Sequence, residues 1–227
     1  MTDATNHQYV LARRPEGALQ ENNFAWREGP VPEPGDGEAV VRVLYLSLDP
    51  ANRGWLNEVP TYRPPVPLDG VMAGFTIGRV AASKRDDLAV GDLVEGDGGW
   101  QDYAVFGPDD EIHKLPAGDD LIARMSVLGV TGKTAFWGLL DVGAVKPGET
   151  VVVSAAAGAV GSIAGQIARI KGCRVVGLAG TDEKCRWLTE ELGFDGAINY
   201  KDEHVAKALA RDCPDGIDVY FDNTGGD

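Results

Sequence analysis

Apolar and polar positions divide the chain into two parts with different rhythms. From Glu38 to Leu48, "EAVVRVLYLSL" is rich in branched residues and predicts a strand. Further short apolar or alternating runs, "GVMAGFTIGRVAAS", "AVGDLVEGD" and "WQDYAVFG", are separated by glycine, aspartate and proline. Closely spaced strands of this kind predict a β-rich, barrel-like or sandwich domain over residues 1–121.

The pattern changes over residues 122–227. "LIARMSVLGVTGKTAFWGLLDVGAV", which begins at Leu121, has a mostly helical pattern, and strands then alternate with helices. "TVVVSAA" is a continuous apolar run, typical of a strand buried on both faces. Thr181 is the expected N-cap of the helix "DEKCRWLTEELG", and Gly193 its expected C-cap. This alternation predicts an α/β domain with a doubly wound parallel sheet, incomplete because such sheets usually have about six strands and only four are found here.

Composition narrows the classes of function. The chain has 227 residues and a net charge of −14, which disfavours nucleic acid and anionic membranes as partners. We find neither a signal peptide nor an apolar run of about 18 residues, so a cytoplasmic location is expected. The cysteines, Cys173, Cys185 and Cys213, are odd in number and form no CxxC pair, which argues against a disulfide framework or structural zinc.

A glycine-containing loop follows the predicted strand "TVVVS". It reads Ala155-x-x-Gly158-x-x-Gly161, between a strand expected to end at Ser154 or Ala155 and a helix expected to begin near Gly161. Gly158 would let the backbone approach a pyrophosphate, and Gly161 would let the helix pack closely on the strand. The helix N-terminus would then offer free N–H groups to phosphates. Alanine replaces the first glycine of the usual fingerprint, and the alternative is a tight turn whose small residues serve packing alone.

The next strand indicates which dinucleotide this loop would hold. A carboxylate near the strand end would bind the ribose 2′-OH of NAD, but this strand ends at Gly180. Lys184 follows within one turn and could pair with a 2′-phosphate, although a solvated surface lysine is the alternative. The missing acid and the lysine together favour NADP(H).

Several spaced motifs carry a family resemblance. "SAAAGAVGSIAGQIARIKGCRVVGLAGTDEK", "NYK", "YFDNTGG", "YLSLDPANRGW" and "VTGKTAFWGLL" occur in matching order over nearly the whole chain. They resemble the zinc-independent medium-chain dehydrogenase/reductase family, in its leukotriene hydroxydehydrogenase, prostaglandin reductase and alkenal reductase branch. The resemblance implies a GroES-like first domain, a Rossmann second domain that binds NADP(H), and a homodimer in a full-length protein.

The resemblance also implies site residues. Cofactor-binding positions of the family fall on Gly158, Ala159, Val160, Gly161, Gly180, Lys184, Tyr200 and Asn223, with Thr134 as a further candidate near the nicotinamide. Tyr200 could instead be a packed strand-end tyrosine, and Asn223 a turn residue.

The zinc ligands of metal-dependent relatives are missing. Where those relatives carry Gly-His-Glu, this chain has Ala73-Gly74-Phe75, and no cysteine precedes Cys173. His7, His113 and His204 are scattered along the sequence, so no metal site is expected.

A hydride donor without a metal suits an acceptor that is already electrophilic, such as an enal or enone. Tyr62 is the expected substrate-side hydrogen-bond donor, with Asp49 and Arg53 shaping the pocket; a simple turn and a surface ion pair are the alternatives for the latter two. No catalytic residue is assigned. Two other functions stay open, a quinone reductase on the same scaffold and a catalytically weak NADP-binding fragment.

Overall fold

The computed structural model of the chain describes residues 4–225. The chain consists of two compact units, Met1–Leu121 and Ile122–Asp227. The strands of the first unit are β1 Thr5–Leu11, β2 Phe24–Pro30, β3 Ala39–Leu46, β4 Thr76–Ser83, β5 Leu93–Gly96, β6 Tyr103–Phe106 and β7 Ile112–Lys114. Its helices are α1 Pro50–Gly54 and a single 3-10 turn at Glu21–Asn23, and α2 Leu121–Met125 begins at the boundary.

The first unit is built on antiparallel pairing. Five strands form a sheet in the order β6-β3-β4-β5-β7, and β1 and β2 form a separate two-stranded pair. One core lies against the larger sheet and includes Val41, Val80, Val94 and Phe106. The predicted strand at Glu38–Leu48 is therefore confirmed as β3. Sequence patterning missed β1 and β2, because most residues of β2 are exposed or half-buried and the strand has no clear apolar alternation.

The second unit alternates strands and helices. Its strands are β8 Thr150–Val153, β9 Arg174–Ala179, β10 Gly196–Asn199 and β11 Val219–Phe221. Its helices are α3 Val130–Trp137, α4 Ala159–Ile170, α5 Asp182–Arg186 and α6 Val205–Asp212, with π-helical turns at Gly138–Val142 and Trp187–Glu191. The four strands are parallel and lie in the order β10-β9-β8-β11.

Both faces of this parallel sheet are covered, as the continuous apolar run predicts. Val151 and Val153 pack in one core with Ala168 of α4, and Val152 packs in another with Ala208 of α6. All four residues of β8 are buried. The sheet is therefore doubly wound over the strands described, as expected.

The long helical pattern that begins at Leu121 is broken in the structure. The backbone turns between α2 and α3, where a Cβ on Gly132 would lie 1.7 Å from the carbonyl oxygen of Val127. A glycine is needed here because two backbone segments nearly touch. Within residues 4–225, no helix combines the length and apolar character that a membrane span requires.

Candidate functional site

The loop after β8 makes a sharp turn into α4. Ala155 adopts a left-handed conformation with φ 44°, and Gly158 is the N-cap of the helix. The helix thus begins at Ala159, which corrects the expected start near Gly161: the left-handed turn at Ala155 brings the chain into helical geometry two residues earlier. Alanine here occupies a conformation that favours glycine.

The start of α4 offers three backbone donors. Ala159, Val160 and Gly161 are the first helical residues, so their N–H groups have no acceptor inside the helix. No side chain caps this end. Together with the helix dipole, these amides form a site suited to an anion. A helix of 12 residues gives this end a full dipole.

Gly161 allows the close packing that the fingerprint predicts. A Cβ at this position would lie 2.5 Å from the carbonyl oxygen of Ala155 and 2.9 Å from the Cα of Ala156. Any other residue would push α4 away from the loop. The same oxygen would lie 3.0 Å from a Cβ on Gly158.

A cleft of about 650 Å³ opens at the carboxyl ends of the parallel strands. In open α/β sheets this edge is where ligands bind. Of the predicted residues, Gly158, Gly180, Lys184 and Tyr200 line the cleft. The cleft is also lined by apolar and polar residues that were not predicted as site residues. They include Ser154, Ala155, Leu178, Val205, Tyr220, Asp222 and Thr224.

One end of the cleft is cationic. Lys184 lies in α5 and Lys201 follows Tyr200, and both lysines are exposed. Neither forms an ion pair with another residue of the range 4–225. A Cβ on Gly180 would lie 3.3 Å from Cε of Lys201. Sequence reasoning missed Lys201, although it is the third residue of the "NYK" motif.

A hydrogen-bond network joins the tips of β8 and β11. The Ser154 hydroxyl donates to Asp222 Oδ1 at 2.6 Å and accepts from the Asn223 amide at 2.7 Å. Asn223 Nδ2 also donates to the Ser154 carbonyl at 2.9 Å. The Ser154 hydrogen bond, followed by that from the Thr224 amide, lowers the pKa of Asp222 below its ordinary value. Asn223 therefore lies beside the cleft, between lining residues Asp222 and Thr224, with its side chain bound to the loop.

Thr134 does not line this cleft. Its hydroxyl donates to the Val130 carbonyl at 2.8 Å, one turn back along α3. Thr134 lies on α3, which packs against α4, the helix that follows the phosphate loop.

The predicted substrate residues lie in the first unit, and each has partners there. Asp49 is the N-cap of α1 and accepts from the Ser47 hydroxyl at 2.7 Å. Arg53 donates to Asn57 Oδ1 at 2.8 Å and to the Gly17 carbonyl at 2.9 Å. These contacts favour local structural roles for Asp49 and Arg53.

Tyr62 is 79% exposed and meets the Trp55 ring edge-on, with centroids 6.1 Å apart. Its neighbour Arg63, which sequence reasoning missed, lies over the same indole at 4.4 Å and pairs with Asp97 at 2.5 Å. Tyr62 is therefore an exposed side chain that packs beside the Trp55 indole, which Arg63 also contacts.

Among the described residues, no three His, Cys, Asp or Glu side chains converge as a metal site. The glycine-containing turn, the free helix amides and the cationic cleft together define the class: an α/β protein with a dinucleotide-binding Rossmann-type domain.

Comparison with known proteins places the chain within this class. Residues 7–115 match the family described as the N-terminal domain of oxidoreductase, and residues 159–227 match the family described as zinc-binding dehydrogenase. The NADPH-dependent curcumin reductase of Escherichia coli is 48% identical over 221 residues, which are 97% of this chain and 64% of the relative. The NADP(+)-dependent 2-alkenal reductase of Nicotiana tabacum is 38% identical over 99% of this chain and 67% of the relative.

A solved structure shows the same fold. The crystal structure of CurA in complex with NADPH, from Vibrio vulnificus, is 45% identical with a TM-score of 0.91, covering 97% of this chain and 65% of that one. The chain belongs to the medium-chain dehydrogenase/reductase family, in the branch of prostaglandin and alkenal reductases. The expected fold, a GroES-like domain with a partial Rossmann domain, is confirmed. The chain spans about two thirds of the length of these relatives.

Proposed function

We propose that this chain is part of an NADP(H)-dependent oxidoreductase that reduces the C=C bond of α,β-unsaturated aldehydes and ketones. The observation that carries the proposal is the end of the cleft where Gly180, the residue after β9, lies beside Lys184 and Tyr200 with no acidic side chain in place of the glycine. The relatives named for curcumin, prostaglandin and 2-alkenal reduction support the reaction class.

The residues present fit a dinucleotide. The amides of Ala159, Val160 and Gly161 suit the pyrophosphate, because they are unpaired within the helix and lie at its positive end. Lys184, Tyr200 and Lys201 suit a 2′-phosphate, by charge and by a phenolic hydrogen bond. The Asp222 carboxylate also lines the cleft, but it accepts hydrogen bonds from Ser154, Thr224 and Gly225.

When bound, NADPH would supply a hydride to the β-carbon of the acceptor alkene, and a proton from water would complete the reduction at the α-carbon. The chain then has two tasks, to hold the dinucleotide in one register and to orient the acceptor. The loop and its network with Asn223 suit the first task, because Ser154, just before the phosphate loop, binds Asn223 in the turn that follows β11. For the second we propose Tyr62, whose exposed phenol is free to donate to a carbonyl oxygen, with Asp49 and Arg53 shaping the helix beside it.

We further propose that the reaction needs no zinc. The position where metal-dependent relatives carry histidine is Gly74, and a Cβ there would lie 2.8 Å from Leu46 Cδ1 and 2.9 Å from Trp100 Nε1. A histidine would have to displace the Trp100 indole, so the donor set that holds zinc cannot be built at this place without rearrangement. Treatment with a chelator should leave both turnover and melting temperature unchanged, and loss of stoichiometric zinc together with activity would contradict the proposal.

Turnover tests the main proposal. The purified chain, and a version extended to the length of its relatives, are given NADPH with an enal, an enone or a naphthoquinone, and nucleotide oxidation is followed. Oxidation with the enal and enone, giving the saturated carbonyl compound, supports the proposal. Oxidation with the quinone alone supports the second candidate, a quinone reductase. This candidate is suggested by the similarity of the chain to the structure of a quinone oxidoreductase from Pseudomonas syringae, at 25% identity and a TM-score of 0.69. Nucleotide binding without oxidation of any substrate by either version would indicate a non-catalytic NADP-binding protein.

We also propose a cytoplasmic location, a homodimer for the full-length protein, and no nucleic acid or membrane partner. The net charge of −14 supports the last point.

A further inference from the structure

Asn199 is a buried polar residue at the end of β10, 5% exposed, where it joins the two sides of the cationic end of the cleft. Its Nδ2 donates to Asp182 Oδ1 at 2.8 Å and to Asp202 Oδ2 at 2.5 Å, and its Oδ1 accepts from the Lys201 amide at 3.2 Å. Asp182 begins α5, which carries Lys184. One amide group therefore ties α5 to the turn that presents Tyr200.

Asp182 is the acidic residue that follows the tip of β9 most closely. A carboxylate in this region favours NAD, because it accepts from the ribose 2′-OH and repels a 2′-phosphate. The described residues that line the cleft include Gly180, Lys184 and Tyr200 but not Asp182. The contact with Asn199 accounts for this, because it holds the carboxylate against β10.

The amide donor of Asn199 holds two carboxylates, those of Asp182 and Asp202, close to each other. Asp182 and Asp202 bind the same nitrogen, so both lie within hydrogen-bond distance of one atom and repel each other across it. Without the amide donor, this repulsion drives the Asp182 carboxylate away from Asp202. The nearby cations, Lys184 and Lys201, then become its alternative partners, and they are the groups that suit the 2′-phosphate.

We propose that Asn199 is a positioning residue that sets the preference for NADP(H) over NAD(H), by binding Asp182 and keeping its charge out of the 2′-phosphate end of the cleft. This inference rests on the proposed function, since it requires a nicotinamide dinucleotide in this cleft. It assigns to Asn199 no contact with the nucleotide.

The test uses two nucleotides that differ only in the 2′-phosphate, 2′,5′-ADP and 5′-AMP, with affinities measured by calorimetry on the intact chain. Asn199→Ala should weaken binding of 2′,5′-ADP about ten-fold, as expected for one misplaced charge near a protein surface, and change binding of 5′-AMP less than about two-fold. The double variant Asn199→Ala with Asp182→Asn should return to within about three-fold of wild type, because the freed side chain is no longer charged. Asp202→Asn is the matched control and should retain wild-type discrimination.

A structural role alone predicts a different result. It would weaken both nucleotides equally in Asn199→Ala, or leave the double variant as impaired as the single one, and either outcome overturns the proposal. If Asn199→Ala does not fold, Asp182→Glu takes its place: the exposed residue gains one methylene that misplaces the carboxylate relative to Asn199, so 2′,5′-ADP alone should weaken, and unchanged discrimination overturns the proposal. A wild-type chain that binds neither nucleotide contradicts the proposed function itself, and this inference with it.

Discussion

The Tyr200 hydroxyl lies so close to Gly180 that a Cβ on the glycine would be 2.8 Å from the phenolic oxygen. The end of β9 therefore lacks a carboxylate and has no room for one while Tyr200 keeps its place. A glycine at this position does two things at once: it removes the acid that would select NAD, and it admits the tyrosine proposed to bind the 2′-phosphate.

Replacement of this glycine should affect the nucleotide more than the fold. Tyr200 is 49% exposed, so its ring can move aside when Gly180→Ala adds a methyl group. We expect the free energy of unfolding to fall by about 1 kcal/mol or less, near the low end for overpacking, while 2′,5′-ADP binding weakens several-fold. Calorimetry and urea unfolding measure the two effects. In Tyr200→Phe, which lacks the clashing oxygen, the same glycine substitution should cost less; equal costs in the two backgrounds would contradict the contact.

Lys184 should discriminate between the two cofactors. Lys184→Ala removes a charge-assisted hydrogen bond to the 2′-phosphate, so NADPH binding should weaken by about 1–3 kcal/mol and NADH binding should hardly change. Fluorescence titration with each nucleotide gives both values. Lys171→Ala, at the opposite end of α4, is the control that removes the same net charge. Equal losses for NADPH and NADH would remove the basis for assigning NADP(H).

The left-handed alanine in the phosphate loop should be a point of strain. Ala155→Gly relieves an unfavourable φ of 44°, which costs an L-residue about 1–2 kcal/mol, against a glycine entropy cost of about 0.5–1 kcal/mol. We therefore expect a net stabilisation of about 0.5–1 kcal/mol in chemical unfolding. Ala156→Gly, at the next and fully buried position, should destabilise the protein instead. Destabilisation by both substitutions to the same extent would show that Ala155 is not strained.

Ser154 should make stability depend on pH through Asp222. The Ser154 hydroxyl is the main cause that lowers the pKa of Asp222 in the folded protein. A carboxyl group with a lowered folded pKa stabilises the fold above its unfolded pKa, and this contribution is lost as pH falls through the folded value. Ser154→Ala should thus destabilise the protein most near neutral pH, with the gap to wild type narrowing in acid. Unfolding curves recorded from neutral to acidic pH test this prediction, with Ser162→Ala as the control. A difference in stability between Ser154→Ala and wild type that widens in acid would contradict the assignment.

The three thiols should resist the electrophiles that the proposed enzyme handles. Burial is the main cause that raises the pKa of Cys173, Cys185 and Cys213, and the charge of Asp182 adds to it at Cys185. Less thiolate means slower addition to an enal or maleimide. Mass spectrometry should find little alkylation of the folded chain at neutral pH and full alkylation in urea, with half-buried Cys185 the first to react. Rapid alkylation of Cys173 or Cys213 in the native protein would show that burial does not protect them.

The same raised pKa values affect stability at high pH. Because the pKa values of the three thiols are raised in the folded protein, the thiols stabilise the fold below their unfolded pKa, and this contribution is lost as pH rises through the folded values.

Much of the second unit could be predicted from short stretches of sequence. The apolar run of β8, the helix of α4 and the cap at Thr181, whose side chain accepts from the Lys184 amide, depend on residues a few positions apart. Local rules decide such features because the interacting groups are near neighbours in the chain. The pair β1 and β2 escaped prediction, since the partners that hold β1 are distant in sequence. Leu11 packs in a core with Met72, and the Leu11 amide donates to the Gly70 carbonyl.

The sequence by itself determined the class of fold, the position of the phosphate loop and the absence of an acid at the tip of β9. Only the tertiary structure decided how these parts act together. Ser154 binds Asp222 across 68 positions of the chain, and Asn199 binds Asp182 across 17. Both pairs meet because parallel strands bring their carboxyl ends to one edge of the sheet, whatever the length of the segments that join them. A pattern along the chain records which side chains are available, but partner and distance are set by strand order, and strand order depends on packing over the whole domain.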